Sequence, residues 1–416
     1  MSDTRRPQTT RPLYTLYAAN AVSLVGNNLT NIAIPWFVLV TTGSAAKTGI
    51  TLFFSITPIV IAGFFGGAIV DRLGYKRTSI ISDLASGATV ASIAGLHALG
   101  LLEFPILLGL VFLGALLDAP GGTARAALIP DMAKLADVPI DRASASIQVV
   151  ERGSRLIGAP LGGVLIAAVG PAGALWIDAL TFVVSAGMIF VAIPARDRPA
   201  PIAPSEGYIA DLKEGLAFIR QDSLIFALVL TVMITNLLDA AFTVGLPFMA
   251  KEEYDSAVAL GLLAAASGGG AVLGAIVYAA QGHRLSRRTV FIPAFTIVAV
   301  RSLLLAPLPS LPVAIVVQVI AGIGAGPLNP IMSAIEFERV PEHMRGRVFG
   351  AIQAGAWLAM PVGVLVGGYL FEGIGLRWAF IAIGICYVAT TLSMLVTPAL
   401  RDMNLRPLRA DPAPMD

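Results

Sequence analysis

The sequence is short of what a water-soluble protein needs. Of its 416 residues only 13% are charged, about half the usual share for a soluble domain. That excludes a soluble enzyme and a disordered chain. There is one cysteine, Cys386, so neither an internal disulfide nor a thiolate zinc cluster can form. The three histidines, His97, His283 and His343, lie far apart with no metal-ligand spacing. The formal net charge of +2 is too small to argue for a nucleic acid or another anionic polymer as partner. No G-x-x-x-x-G-K-[ST] run occurs, which argues against ATP hydrolysis by this chain. No clustered metal site or nucleophile constellation suggests a membrane enzyme, and no long hydrophilic stretch suggests a soluble signalling domain. Lysine is scarce, 5 against 23 arginines, beside abundant alanine, glycine and proline. That bias hints at a GC-rich bacterial genome.

What is present is apolar: 56% of the residues are hydrophobic and the mean hydropathy is +0.81. A bilayer core about 30 Å thick takes roughly 20 apolar residues per helix. Twelve such stretches can be read, at about 14–40, 48–70, 78–101, 105–128, 144–169, 172–194, 224–249, 257–280, 289–308, 311–334, 347–371 and 376–397. Arg5, Arg6 and Arg11 lead straight into the first of them without a cleavable-signal pattern. With both termini in the cytoplasm, 22 of the 28 Lys and Arg residues fall on the cytoplasmic side. Only Lys47, Lys251 and Arg377 fall outside, and Arg152, Arg155 and Arg301 lie within spans. An error in the span count would scramble this alternation, so the positive-inside bias supports twelve spans with both ends inside.

A hydrophilic, proline-rich stretch, 195–223, divides six spans (1–194) from six (224–416). The halves repeat each other. At an offset of 205, Arg142, Gln148, Gly158, Gly162, Gly163 and Gly170 recur as Arg347, Gln353, Gly363, Gly367, Gly368 and Gly375. At 208, Asn28 and Asn31 face Asn236 and Asp239. Both halves begin on the same side, which makes this a parallel repeat, with a substrate site expected near the midplane.

After span 2 comes Gly67-x-x-x-Asp71-Arg72-x-Gly74-Tyr75-Lys76-Arg77. Gly67 allows close helix approach, Asp71 can hold backbone N–H groups or a cation, and Gly74 permits a tight turn. Lys76 and Arg77 hold the loop inside. Together they can act as a latch between helices. Span 5 carries Gly158-Ala159-Pro160-Leu161-Gly162-Gly163, small residues for close packing and a proline that loosens the helix. The first motif resembles the cytoplasmic signature of the major facilitator superfamily. The second is similar to the span-5 signature of its proton-coupled exporters, with Ala and Pro in swapped order. Arg125-Ala-Ala-Leu-Ile-Pro-Asp131, Asp211 to Arg220 and Val340 to Phe349 resemble its macrolide-efflux-like drug and siderophore exporter branch. The resemblance implies an all-α membrane fold of two pseudo-symmetric six-helix bundles, with spans 1, 4, 7 and 10 lining a cavity.

A charge at the bilayer centre costs at least about 2.5–3.5 kcal/mol on insertion scales, so each needs a partner or a role. Asn27 and Asn31 share a face of span 1, and Asn236 and Asp239 share one of span 7. Asp118 on span 4, Glu151 on span 5 and Asp178 on span 6 complete the candidates for a substrate and proton pathway. Arg125 lies seven residues beyond Asp118, and Glu151 and Arg155 have the spacing of an intrahelical pair. Arg125, Arg152 and Arg155 are possible charge partners, each as readily a structural or latch residue. Arg301, on a span peripheral in the superfamily fold, reads as structural. Every one of these carboxylates could equally sit in a static pair that fixes packing.

The expectation is a secondary active exporter in a bacterial inner membrane, a proton antiporter and not an enzyme, working by alternating access. It would need no cofactor, with the proton gradient as its energy source. Its partners would be the lipid bilayer, protons and a small amphipathic organic substrate, and one chain would suffice as the working unit. The alternative on the same fold is a siderophore or lipid exporter, or a facilitator without proton coupling.

Overall fold

A computed structural model describes residues 9–194 and 208–404, leaving out the side chains of 63–69, 71, 72, 208–211 and 283. The expected linker therefore lies partly outside the described residues, as do the side chains of Gly67, Asp71 and Arg72. The described regular structure is helical: α1 (Arg11–Thr42), α2 (Ala45–Leu73), α3 (Tyr75–Ala98), α4 (Phe104–Ala136), α5 (Ile140–Ala192), α6 (Tyr208–Gln221), α7 (Ser223–Glu252), α8 (Ala257–Gln281), α9 (Arg287–Leu305), α10 (Leu311–Ala325), α11 (Leu328–Arg339), α12 (Arg345–Leu358) and α13 (Met360–Val396).

Among the described residues, ten segments are long and apolar enough to cross a membrane. Two are double. The 53 residues of α5 would extend about 80 Å as one helix at about 1.5 Å per residue, far beyond a single bilayer core. Gly170 breaks it at φ 75°, ψ 166°, and Gly375 breaks α13 at φ 77°, ψ 168°. These two glycines are mates in the 205-residue repeat. The breaks fall where hydropathy separates 144–169 from 172–194 and 347–371 from 376–397, so twelve spans result. Capping marks other ends: Ser44 accepts a hydrogen bond from Lys47 N, Ser286 accepts one from Thr289 N, and Gly43 closes α1 in the left-handed region.

The chain forms two compact units. Unit 1 is Met1–Ile202, Thr243–Ala265 and Val364–Leu376; unit 2 is Ala203–Phe242, Ala266–Gly363 and Arg377–Asp416. Unit 1 is held by small-residue contacts. A methyl added at Gly158 would lie 2.6 Å from Asn28 Cβ on α1, and one at Gly163 would lie 2.6 Å from the Ala257 carbonyl of α8 and 3.2 Å from Gly261 Cα. At Gly49 it would lie 2.6 Å from the Val364 carbonyl of α13 and 2.8 Å from Gly368 Cα. Gly163 and Gly368 are repeat mates, so the two crossings are copies of one contact. A second apolar cluster, around Leu16, Met132, Ile147 and Ile189, joins α1, α4 and α5.

In unit 2, α6 packs on α12. Gly215 meets the Arg347 carbonyl, Glu214 pairs with Arg347 at 2.6 Å, and Ile219, Val348 and Ala351 share one cluster. Asp222 caps α7 through Leu224 N and Ile225 N and pairs with Arg339.

Gly170→Ala should destabilise the protein by about 1–3 kcal/mol, because a side chain there occupies a backbone region essentially reserved for glycine. Gly187→Ala, a helical glycine with open space around it, should not. Thermal unfolding in detergent would compare them.

Candidate functional site

Unit 1 encloses a cavity of about 440 Å³ between α1, α2, α3, α4 and the second part of α5. Asn27, Asn31, Asp118 and Asp178 all line it. The four-residue step from Asn27 to Asn31 aims both at one side of α1. Asn27 Nδ2 donates to Asp118 Oδ2 at 3.0 Å, while the buried Asp118 Oδ1 has no hydrogen-bond partner. Asp178, 1% exposed, accepts from Thr30 Oγ1 on one oxygen and from Thr181 Oγ1 at 3.1 Å on the other. Gly26 makes the room for this: a methyl there would fall 2.2 Å from Asp178 Oδ1. No lysine or arginine lines this cavity among the described residues.

Arg125 does not meet Asp118. It lies behind the cavity, 3% exposed, and donates to Asp83 Oδ1 at 2.6 Å and to Asn20 Oδ1 at 3.1 Å. Ser185 Oγ satisfies Asp83 Oδ2 at 2.7 Å. This fully buried network ties α1, α3, α4 and the second part of α5 together. Taking both charges out of water is expensive, and hydrogen bonds on the remaining atoms are what make such a pair tolerable.

Unit 2 encloses a cavity of about 500 Å³ lined by Asn236, Asp239, Glu336, Gln353, Trp357 and Tyr387 among others. Here one carboxylate, Asp239, is paired with an arginine. Arg301 donates to Asp239 Oδ1 at 2.6 Å and Tyr387 OH donates to Oδ2 at 3.1 Å. The guanidinium lies 3.7 Å from the centre of the Phe242 ring, a cation–π contact. Asn236 Nδ2 donates to the Ala356 carbonyl at 2.7 Å, tying α7 to α12. From the sequence alone Arg301 reads as structural and Tyr387 is not singled out. A signal existed: Asp239 and Arg301 are charges deep in apolar spans of the same half, and each needs the other.

Glu151 lines neither cavity, and its four-residue spacing to Arg155 is not used: no Glu151–Arg155 ion pair forms among the described residues. Arg152 and Arg155 are exposed. Pro160 sits inside α5 without breaking it. Between α2 and α3, Gly74 turns at φ 84°, and Arg77 in the first turn of α3 is exposed. Lys76 Nζ donates to the carbonyls of Phe190 at 2.8 Å and Ile193 at 2.5 Å, capping the end of α5. Arg288 does the same for α13 through the Leu395 carbonyl at 3.0 Å. Leu395 is the repeat mate of Phe190, so a cation on the last carbonyls of each half is a repeated feature, favourable by about 0.3–1 kcal/mol at an exposed helix end.

Residues 5–414 match the family profile described as transmembrane secretion effector. The chain is 30% identical over 408 residues to the multidrug efflux pump Tap of Mycobacterium tuberculosis (strain ATCC 25618 / H37Rv), covering 95% of this chain and 96% of that one. It is 22% identical over 402 residues to macrolide efflux protein A of Streptococcus pyogenes, covering 94% and 97%. Its fold is that of the nucleoside transporter NupG, with a TM-score of 0.74 at 14% identity over 93% of this chain and 98% of that one. A bacterial homologue of the lysosomal transporter Spinster gives 0.71 at 14%, over 97% and 100%.

Breaking the Asp83–Arg125 pair should be severe. Asp83→Asn or Arg125→Met alone should each remove about 3–5 kcal/mol of stability, and the double variant should lose less than the sum. A double-mutant cycle of unfolding midpoints would measure the coupling.

Proposed function

The chain belongs to the transmembrane secretion effector family of the major facilitator superfamily, transporters and not enzymes, and we propose that it exports small amphipathic organic molecules in exchange for protons by alternating access. It is a multi-pass membrane protein related to multidrug and macrolide efflux pumps. The observation that carries proton coupling is the unit 1 cavity. Two carboxylates, Asp118 and Asp178, share apolar walls with no basic side chain in the lining among the described residues, and one Asp118 oxygen is unpartnered. A carboxylate so placed is costly to keep charged when dry and inexpensive to keep charged when wet. Its proton affinity therefore follows solvent access, which is what an antiporter requires. Asp239, held by Arg301 and Tyr387, is better suited to fixing helices and shaping the second cavity. Both cavities mix apolar walls with a few amides and carboxylates, which suits amphipathic substrates.

In this reading both termini are cytoplasmic, as the arginine distribution argues, in a bacterial inner membrane. The moving bodies are the six-helix bundles 1–194 and 224–416, joined by 195–223. Asn27 and Asn31 orient the substrate on α1 and Asn236 on α7. Gly67, Asp71, Arg72, Gly74, Lys76 and Arg77 form the cytoplasmic latch, and Gly158, Pro160, Gly162 and Gly163 the packing surface of α5.

The test is uptake of ethidium and of a labelled macrolide into inside-out vesicles under an imposed proton gradient. Uptake should require the gradient, and Asp118→Asn should abolish accumulation while leaving downhill exchange. Uptake that only equilibrates, and is indifferent both to the gradient and to Asp118→Asn, would mean facilitated transport without proton coupling.

A further inference from the structure

Arg152 and Arg155 have no partner among the described residues. Neither makes a hydrogen bond or ion pair among the described residues, and both side chains are exposed. They lie on α5 after Ser144 and Gln148, also exposed, at steps of four, four and three residues, which puts all four on one stripe. The faces beside it are apolar and exposed: Val149 is 71% and Ile157 60% accessible. Arg155 is roughly 20 Å along the axis from the start of α5 at about 1.5 Å per residue. One turn further on, Gly158 is packed against Asn28 of α1. The stripe thus runs into the apolar stretch 144–169.

Two arginines there cannot face hydrocarbon, where each would be unfavourable by at least about 2.5–3.5 kcal/mol. A water-filled path is the surrounding that would satisfy both. The repeat supports this independently. At the 205-residue offset, Gln148, Arg152 and Arg155 correspond to Gln353, Trp357 and Met360, and all three of those line the unit 2 cavity. These register positions are therefore the ones the fold turns toward a cavity. Where unit 2 presents a tryptophan and a methionine, α5 presents two guanidiniums. Their donors form planar forks matched to a two-oxygen anion, and Gln148 adds an amide one turn away.

We propose that Arg152 and Arg155, with Gln148, form an anion subsite on α5 that takes a carboxylate, sulfonate or phosphate group. Given the transport reading above, on which this rests, the group belongs to an amphipathic substrate passing along the path or to an anionic lipid that enters it. The substrate range then includes amphiphiles bearing an acidic group.

Equilibrium binding without any gradient tests the subsite separately from coupled transport. The full-length protein in phosphatidylcholine nanodiscs would be titrated with anilinonaphthalene sulfonate and with phenylnaphthylamine, which has the same aromatic skeleton without the sulfonate. Empty discs supply the background. The Arg152→Gln/Arg155→Gln variant should weaken sulfonate binding by roughly tenfold or more, the scale of lost charge-assisted hydrogen bonds. Phenylnaphthylamine binding should be unchanged, which also shows that the variant is folded, and the double lysine variant should recover part of the loss. If phosphatidylglycerol in the discs suppresses sulfonate binding to the parent protein, the occupant is a lipid headgroup; if it does not, the occupant is the substrate's own acid. Sulfonate binding unchanged in the glutamine variant, or both probes weakened alike, would overturn the subsite.

Discussion

Hydrocarbon offers a charged or hydrogen-bonding group nothing, so each polar side chain in this protein must be answered by another or by water. The placement of the polar residues follows from that demand. Asp83 and Arg125 answer each other behind one cavity, with Asn20 and Ser185 completing their hydrogen bonds. Asp239 is answered by Arg301 and Tyr387. Asp118 is answered on one oxygen only. Arg152 and Arg155 are answered by nothing among the described residues, and these incompletely satisfied groups are the ones the two proposals above rest on.

The two units solve the same geometric problem with opposite chemistry. In each, the first span meets the last through a carboxylate and a hydroxyl. Thr30 on α1 donates to Asp178 on the second part of α5, while Tyr387 on the second part of α13 donates to Asp239 on α7. The carboxylate has changed sides. Unit 2 alone adds an arginine to the pair, so its carboxylate sits in an ion pair where that of unit 1 is held by hydroxyls.

Much of the architecture was legible because it is written in long runs. Twelve apolar stretches, the alternation of arginines and the repeat all speak at the scale of a whole span. Even the breaks at Gly170 and Gly375 fell between the correct stretches. The side-chain pairings were less legible. Spacing along one helix suggested Glu151 with Arg155 and placed Arg125 beside Asp118, yet neither contact forms. Arg125 instead reaches Asp83 on another helix, and Arg301 reaches Asp239 across 62 residues of sequence. Periodicity reports which face of a helix a residue occupies. It does not report which neighbour that face meets, so partners chosen between helices stay hidden until the helices are packed.

The crossings at Gly163–Gly261 and Gly49–Gly368 carry one more consequence. They are contacts of backbone on backbone. A leucine or phenylalanine held in an interface loses rotamer freedom each time the interface forms and regains it each time it opens. Glycine has no rotamers to freeze. A crossing built this way can part and rejoin without any side chain searching for its place. On the alternating-access proposal above, that would suit a surface unmade and remade in each transport cycle.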